Sequence, residues 1–222
     1  MAAVTEAGLN LIAYGDAVAG CTRCALAQTR TQVVFGAGAP DADLMFVGEA
    51  PGFHEDKQGV PFVGAAGKLL SKLLEGIGYT RDMVFVANVL KCRPPGNRDP
   101  LPDEIQACEG HLFRQIELIR PKVVATLGNF ATKLLSGRPD GITRVHGREQ
   151  RVTLGGNEVL LYPIFHPAAA LYTPRMLEVL ETDFARIPAL IGHVAEPEPV
   201  PAPEPPPAAS PEPAVPVQLG LF

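Results

Sequence analysis

Residues 44–67 read LMFVGEAPGFHEDKQGVPFVGAAG, and the fold follows from how this stretch is parsed. Leu44 to Val47 is an apolar run of strand length. It breaks into a polar, glycine-punctuated loop, Gly48-Glu49-Ala50-Pro51-Gly52, and two further acids, Glu55 and Asp56, follow closely. Phe62, next to Pro61, reads as an exposed aromatic, and Gly67 opens a helix, KLLSKLLEGIG. A strand, a long loop and a helix, with polar groups at the strand's carboxyl end, is the arrangement in which open α/β sheets bind ligands. Long loops in compact domains are usually functional or disordered.

Three more apolar runs extend the pattern. Met83 to Val89 is a second strand with Asn88 near its end, Lys122 to Leu127 a third, and Val159 to Phe165 a fourth that ends at His166-Pro167. Helices are predicted over residues 5–20, 68–77, from Pro102 onward with Cys108 on the inward stripe, before Gly137, and over 174–190. The arginine-rich segment 138–158 reads as a loop and an edge hairpin. Four strands alternating with helices predict a three-layer α/β/α sandwich around a mostly parallel four-stranded sheet. Glu49, Asn88 and His166 then lie at three separate carboxyl ends, which packing alone does not explain.

The 222 residues fit one domain of ordinary size, and no apolar stretch reaches membrane-spanning length. The first twenty residues lack the basic and apolar regions of a secretory signal, so a cytoplasmic location is expected, and a monomer. The net charge of −5 is unevenly placed: residues 195–222 carry four acids and no Lys or Arg. The remainder has 20 acids against 19 bases, near neutrality, and can present a local basic face.

The cysteines are Cys21, Cys24, Cys92 and Cys108. In a cytosolic chain disulfides are disfavoured and metal or cluster ligation gains weight. A CxxC alone fits redox, zinc or iron–sulfur chemistry. The wide spacing of the second pair argues mildly against a zinc ribbon, and unpaired core thiols remain open on spacing alone.

GEAPGFHED with GVPFVGAAGKLL, continued by VANVLKCRPPGNRDP and HPAAALYTP, resembles the family 4, iron–sulfur uracil-DNA glycosylases over roughly residues 15–190. The resemblance implies a [4Fe–4S] cluster held by Cys21, Cys24, Cys92 and Cys108, giving a brown protein absorbing near ~400 nm. It also implies uracil-containing DNA, single- or double-stranded, as the partner. Phe62 would stack on a flipped base. Asn88 would pair with uracil N3–H and O4, a pattern that cytosine reverses at a cost of about several kcal/mol. His166 would donate to uracil O2 as negative charge gathers there. Glu49 and Glu55 would stabilise the sugar cation and orient water, with Glu55 near uracil C5; their roles are not separable at this level. Asp56 reads as a loop cap, and His54, His111, His146 and His193 as structural. The family's covalently trapping relatives carry an extra histidine-bearing loop after the second strand. PPGNRDP has no histidine, so turnover is expected. Leu171 is the expected wedge into the DNA stack, flanked by Tyr172 and Arg175. A different class of function, a non-catalytic iron–sulfur protein that senses uracil, uses the same pocket.

The glycosylase domain is therefore expected over residues 1–194. Residues 195–217 hold ten prolines and predict an extended, polyproline-rich tether. The chain ends in Gln218-Leu219-Gly220-Leu221-Phe222, which resembles the short peptide that binds the bacterial replication sliding clamp. On that resemblance Leu221 and Phe222 would fill an apolar pocket, and Gln218 would bond at its rim beside Leu219.

Overall fold

The computed structural model describes residues 6–193. The proline-rich tether and the clamp-like peptide, Gln218 to Phe222, lie outside the described residues.

Strand β1 is Ala37–Gly38, β2 Leu44–Gly48, β3 Phe85–Asn88, β4 Val123–Leu127, β5 Gln150–Leu154 and β6 Asn157–Ile164. They form one sheet in the order β1-β3-β2-β4-β6-β5. The four inner strands are the four expected from sequence, and they pair in parallel. Two antiparallel edge strands extend the sheet to six. β1 is only two residues long, too short to leave a periodic signal. β5 joins β6 through Gly155-Gly156, with φ of 55° and 77°. Both residues are in the left-handed region that a two-residue hairpin turn demands. This is the hairpin anticipated in the arginine-rich segment.

The inner strands are buried on both faces, as parallel strands are when helices cover both sides. Side chains therefore alternate between two cores. Met45, Val47, Phe85 and Ala87 face one way, with Leu112 and Ile116 of helix α4 (Pro102–Ile119) and Leu135 of α5 (Asn129–Ser136). Leu44, Phe46 and Val86 face the other, with Leu70 and Leu74 of α3 (Ala65–Gly76), and with Phe184 of α7 (Pro174–Ala185). Helix α1 (Glu6–Ala19) packs against α4.

Each helix stops for a local reason. Glu104 Oε2 accepts from the Leu101 amide and Pro102 stands at the first position, fixing the start of α4. Gly78, with φ 79°, closes α3. The last predicted helix is two: α7 ends before Arg186, and α8 (Ile187–His193) begins with Pro188 at its second position. A proline there has no amide to continue the preceding ladder.

β2 connects to β3 on one side of itself, and β3 connects through α4 to β4 on its other side. The carboxyl ends of β2 and β4 flank a point where the strand order reverses. That crevice is the ligand position in such sheets. The loop after β2 is also more ordered than the sequence suggests, because it contains a helix of its own, α2 (Phe53–Gln58).

Candidate active site

A cleft of about 520 Å³ opens at these strand ends. Glu49, Glu55, Phe62, Asn88, His166 and Leu171 line it, together with Pro94, Asn97 and Arg98 of the loop after β3. Six of the eight residues expected to meet the base or the DNA therefore share one wall. Tyr172, which is 90 % exposed, and Arg175 stand outside it on the adjoining surface.

Phe62 departs from the expectation of an exposed ring, being only 8 % accessible. Its backbone is left-handed, φ 54°, an uncommon state for a bulky residue that the surroundings must enforce. They do so on both sides. Arg81 Nη2 donates to the Pro61 carbonyl at 2.8 Å. Glu55 Oε1 accepts from the amides of Val63 and Gly64, each at 3.0 Å. The Phe62 ring then stacks on His166, with centroids 5.5 Å apart and planes 27° apart.

Gly48 admits this packing. A Cβ there would lie 2.4 Å from Asn88 Oδ1 and 2.7 Å from Phe62 Cζ, so only glycine lets both side chains close over the end of β2.

Asn88 is 2 % accessible, and its side-chain amide has no protein partner among the described residues. The amide is not sealed in the core: the one fully buried side-chain polar atom without a partner among the described residues is Arg81 Nη1. Here the amide faces the cleft, where a ligand can supply both bonds.

His166 Nδ1 accepts from the Ala168 amide at 3.1 Å, which leaves the ring proton on Nε2. Burial pushes the imidazole down to about 4, with Glu55 pulling weakly the other way, so the ring is neutral near pH 7. Glu49 is half-buried, and desolvation, reinforced by Asp99, raises its carboxyl above the ordinary range. Its carboxylate has no hydrogen-bond partner among the described residues, in contrast to that of Glu55. Asp56 Oδ1 accepts from the Thr31 amide at 2.8 Å, the capping role expected of it.

All four cysteines line a second cavity, between α1, the loop after β3 and α4. No three groups converge tightly enough for a single metal ion among the described residues. Burial pushes the Cys92 thiol up to about 11 and raises the Cys108 thiol as well, while N–H donors beside both sulfurs pull the other way. Arg30 Nη1 donates to Cys92 Sγ at 3.4 Å, and the Lys91 amide to Cys108 Sγ at 3.3 Å. His111 Nε2 lies 3.4 Å from Cys21 Sγ, and the Tyr14 hydroxyl 2.7 Å from His111 Nδ1. Lys91 itself is 1 % accessible, and its ammonium donates to the Asn88 carbonyl and to Gln115 Oε1, both uncharged. Burial pulls it down to about 8, and Cys108 is the anion-forming group that opposes the shift. A buried cation without a carboxylate fits beside thiolates.

Sequence reasoning missed His111, read as merely structural, although it follows Cys108 by three residues and so shares its helix face. Lys91 carried one signal, adjacency to Cys92, and Arg30 carried none. Of the other set-aside histidines, His146 Nδ1 contacts Asp183 Oδ2 at 2.9 Å, a structural pairing.

Residues 35–186 match the family model of the uracil DNA glycosylase superfamily. The chain is 49 % identical over 177 residues to the type-4 uracil-DNA glycosylase of Sulfurisphaera tokodaii, covering 78 % of this chain and 80 % of that protein. It is 48 % identical over 176 residues to that of Archaeoglobus fulgidus, covering 78 % and 88 %, and 46 % identical over 183 residues to that of Saccharolobus solfataricus, covering 80 % and 85 %. With a superfamily match over residues 35–186 and relatives 46–49 % identical over about four-fifths of the chain, the chain belongs to the uracil-DNA glycosylase superfamily, among its type-4 members.

Proposed function

We propose that this chain is a uracil-DNA glycosylase of DNA repair that takes uracil out of the base stack and hydrolyses its N-glycosidic bond, leaving an abasic site. The observation that carries the reading is the unpartnered amide of Asn88, buried in the cleft beside Phe62 and His166. Its donor and acceptor match uracil O4 and N3–H, and cytosine leaves both unsatisfied.

The roles follow from the groups. Phe62 stacks on the base. The N1–C1′ bond lengthens, positive charge develops on the sugar and negative charge on uracil O2. Neutral His166 donates its Nε2–H to O2, as a preorganised donor whose proton is not lost near pH 7. Glu49, partner-free and desolvated, takes the proton of the water that attacks C1′. Glu55 has one oxygen committed to the Val63 and Gly64 amides, so its part is to hold the Phe62 loop and to add negative charge near the base. Leu171, at the cleft edge and 37 % exposed, fills the space left by the flipped nucleotide, with Tyr172 and Arg175 on the phosphate side.

Cys21, Cys24, Cys92 and Cys108 hold a [4Fe–4S] cluster. Support comes from their common cavity, from the N–H donors on two sulfurs and from the otherwise uncompensated Lys91. When bound, the cluster supplies a cross-link and fixed negative charge rather than a step of the hydrolysis. It ties α1 to the segment that runs from Cys92 past the cleft to Cys108.

Gln218, Leu219, Leu221 and Phe222 bind the replication sliding clamp, raising the enzyme's effective concentration on new DNA. The glycosylase acts as a monomer.

A uracil-containing oligonucleotide, incubated with the protein and then heated in alkali, tests the main reading. Strand breakage at the uracil position supports it, and an intact strand at stoichiometric enzyme refutes it.

A further inference from the structure

We propose that Phe53, at the start of α2, is a stacking platform for an unpaired nucleotide next to the uracil, and that it gives the enzyme a preference for single strands. The inference rests on the glycosylase reading of the neighbouring cleft.

Phe53 is a large apolar side chain left 49 % exposed. It directly follows Gly52 and precedes Glu55 by two residues, and both of these line the cleft. Two cations lie over its ring. The Arg93 guanidinium carbon lies 5.2 Å from the ring centroid and Lys57 Nζ lies 6.0 Å away. His54 meets the ring edge-on, with centroids 5.5 Å apart and planes 83° apart. Arg93 is fixed in turn, donating from Nε to Asn97 Oδ1 at 2.6 Å, and Asn97 and Pro94 line the cleft. The cluster thus joins two walls of the cleft at its rim.

A half-exposed aromatic ring with an arginine and a lysine in cation–π contact is a combination that binds single-stranded nucleic acid, the cations meeting phosphates while a base stacks on the exposed part of the ring. Phe62 already serves the flipped base inside the cleft. Phe53 is outside it, within reach of the next nucleotide along the same strand. In a duplex that neighbour stays stacked and paired within the helix and has no reason to leave. In a single strand it is free to lie on Phe53. The contribution is therefore confined to single strands.

The alternative is that Phe53 and Arg93 merely clip α2 to the loop after β3. A structural clip would matter equally for both substrates. The test compares the wild-type enzyme with Phe53→Ala, Phe53→Leu and Phe53→Trp on a uracil oligonucleotide, single-stranded and annealed, with an abasic analogue placed 5′ or 3′ of the uracil. On single strands, Phe53→Ala and Phe53→Leu are expected to raise KM about tenfold with kcat little changed, the scale of one lost base–aromatic stack, and Phe53→Trp to restore it. At one flank, the abasic analogue should cost the wild type a similar factor and the Phe53→Ala enzyme nothing further. On the duplex all four proteins should agree within about twofold. Equal losses on single strand and duplex overturn the proposal. So do a wild-type KM in Phe53→Leu and losses that multiply at both flanks. Absence of excision by the wild type on every substrate would instead refute the glycosylase reading.

Discussion

Lys91 Nζ donates to the main-chain carbonyl of Asn88 at 2.7 Å, while the Lys91 amide donates to Cys108 Sγ at 3.3 Å. One residue therefore touches both the strand end that carries Asn88 and a thiol of the cysteine cavity. The same ammonium bonds Gln115 of α4, whose Nε2 reaches the Phe35 carbonyl at 2.8 Å. The two halves of the proposed mechanism, cluster and pocket, are joined by buried hydrogen bonds rather than by the chain alone.

Lys91→Met keeps the apolar bulk and removes the two ammonium bonds, leaving the amide bond to Cys108 in place. It takes a donor from the Asn88 carbonyl and from Gln115 Oε1, at about 1–3 kcal/mol each. Iron content, absorbance near ~400 nm and the midpoint of thermal unfolding are all expected to fall, and kcat/KM with them. Wild-type values for iron content and kcat/KM together would show that Lys91 is a bystander.

Gly48→Ala places a methyl 2.4 Å from Asn88 Oδ1 and 2.7 Å from the Phe62 ring. Either side chain could give way only toward the cleft, which would move it out of position there. Excision is expected to fall by about a hundredfold or more, as small displacements of positioning groups cost that much, with the cluster absorbance retained. A variant with near-normal kcat/KM would mean that the end of β2 gives more readily than its packing implies.

The pH dependence separates the two titrating groups. His166 has its imidazole pushed down to about 4, below the ordinary 6.5, so the folded protein binds its proton less readily than the unfolded chain does. Its neutral form costs nothing above about pH 6.5, and stability drains as pH falls from there toward 4. Activity, however, should show no histidine inflection at 6.5. The acid limb of kcat/KM should reflect Glu49, whose carboxyl is raised above 4.5 by desolvation. In Glu49→Gln the residual rate should lose that limb. An inflection near 6.5 in the wild type that disappears in His166→Asn would contradict the neutral-donor role.

Much of the site was legible because it lies where strands stop. Glu49, Asn88 and His166 each follow an apolar run, and three such ends meet once the runs pair in parallel. Short-range sequence could not show what depends on distant partners. Phe53–Gln58 is six residues of mostly polar character, and its helix is held by Asp56 bonding Thr31, 25 positions away. Phe62 carries no mark of its left-handed backbone, which Arg81 and Glu55 impose from either side. His111 and Arg30 become neighbours of the thiols only when α1, α4 and the loop after β3 converge. β1 is visible only as a partner of β3.

Deleting residues 218–222 should abolish binding of the intact protein to the sliding clamp of its own organism. Excision from short oligonucleotides should be unchanged by the deletion. Equal clamp binding with and without the five residues, or none in either protein, would refute the assignment.

The central claim is that Asn88 recognises uracil for excision. It is tested most directly by single-turnover cleavage of a uracil oligonucleotide by the wild type and Asn88→Ala, each with its absorbance near ~400 nm recorded. The account predicts alkali-sensitive sites with the wild type and a rate lower by about a thousandfold or more in the variant, the scale on which a built hydrogen-bonding site depends on its polar pair, with the cluster intact. Equal rates in the two proteins, at equal cluster content, would contradict it.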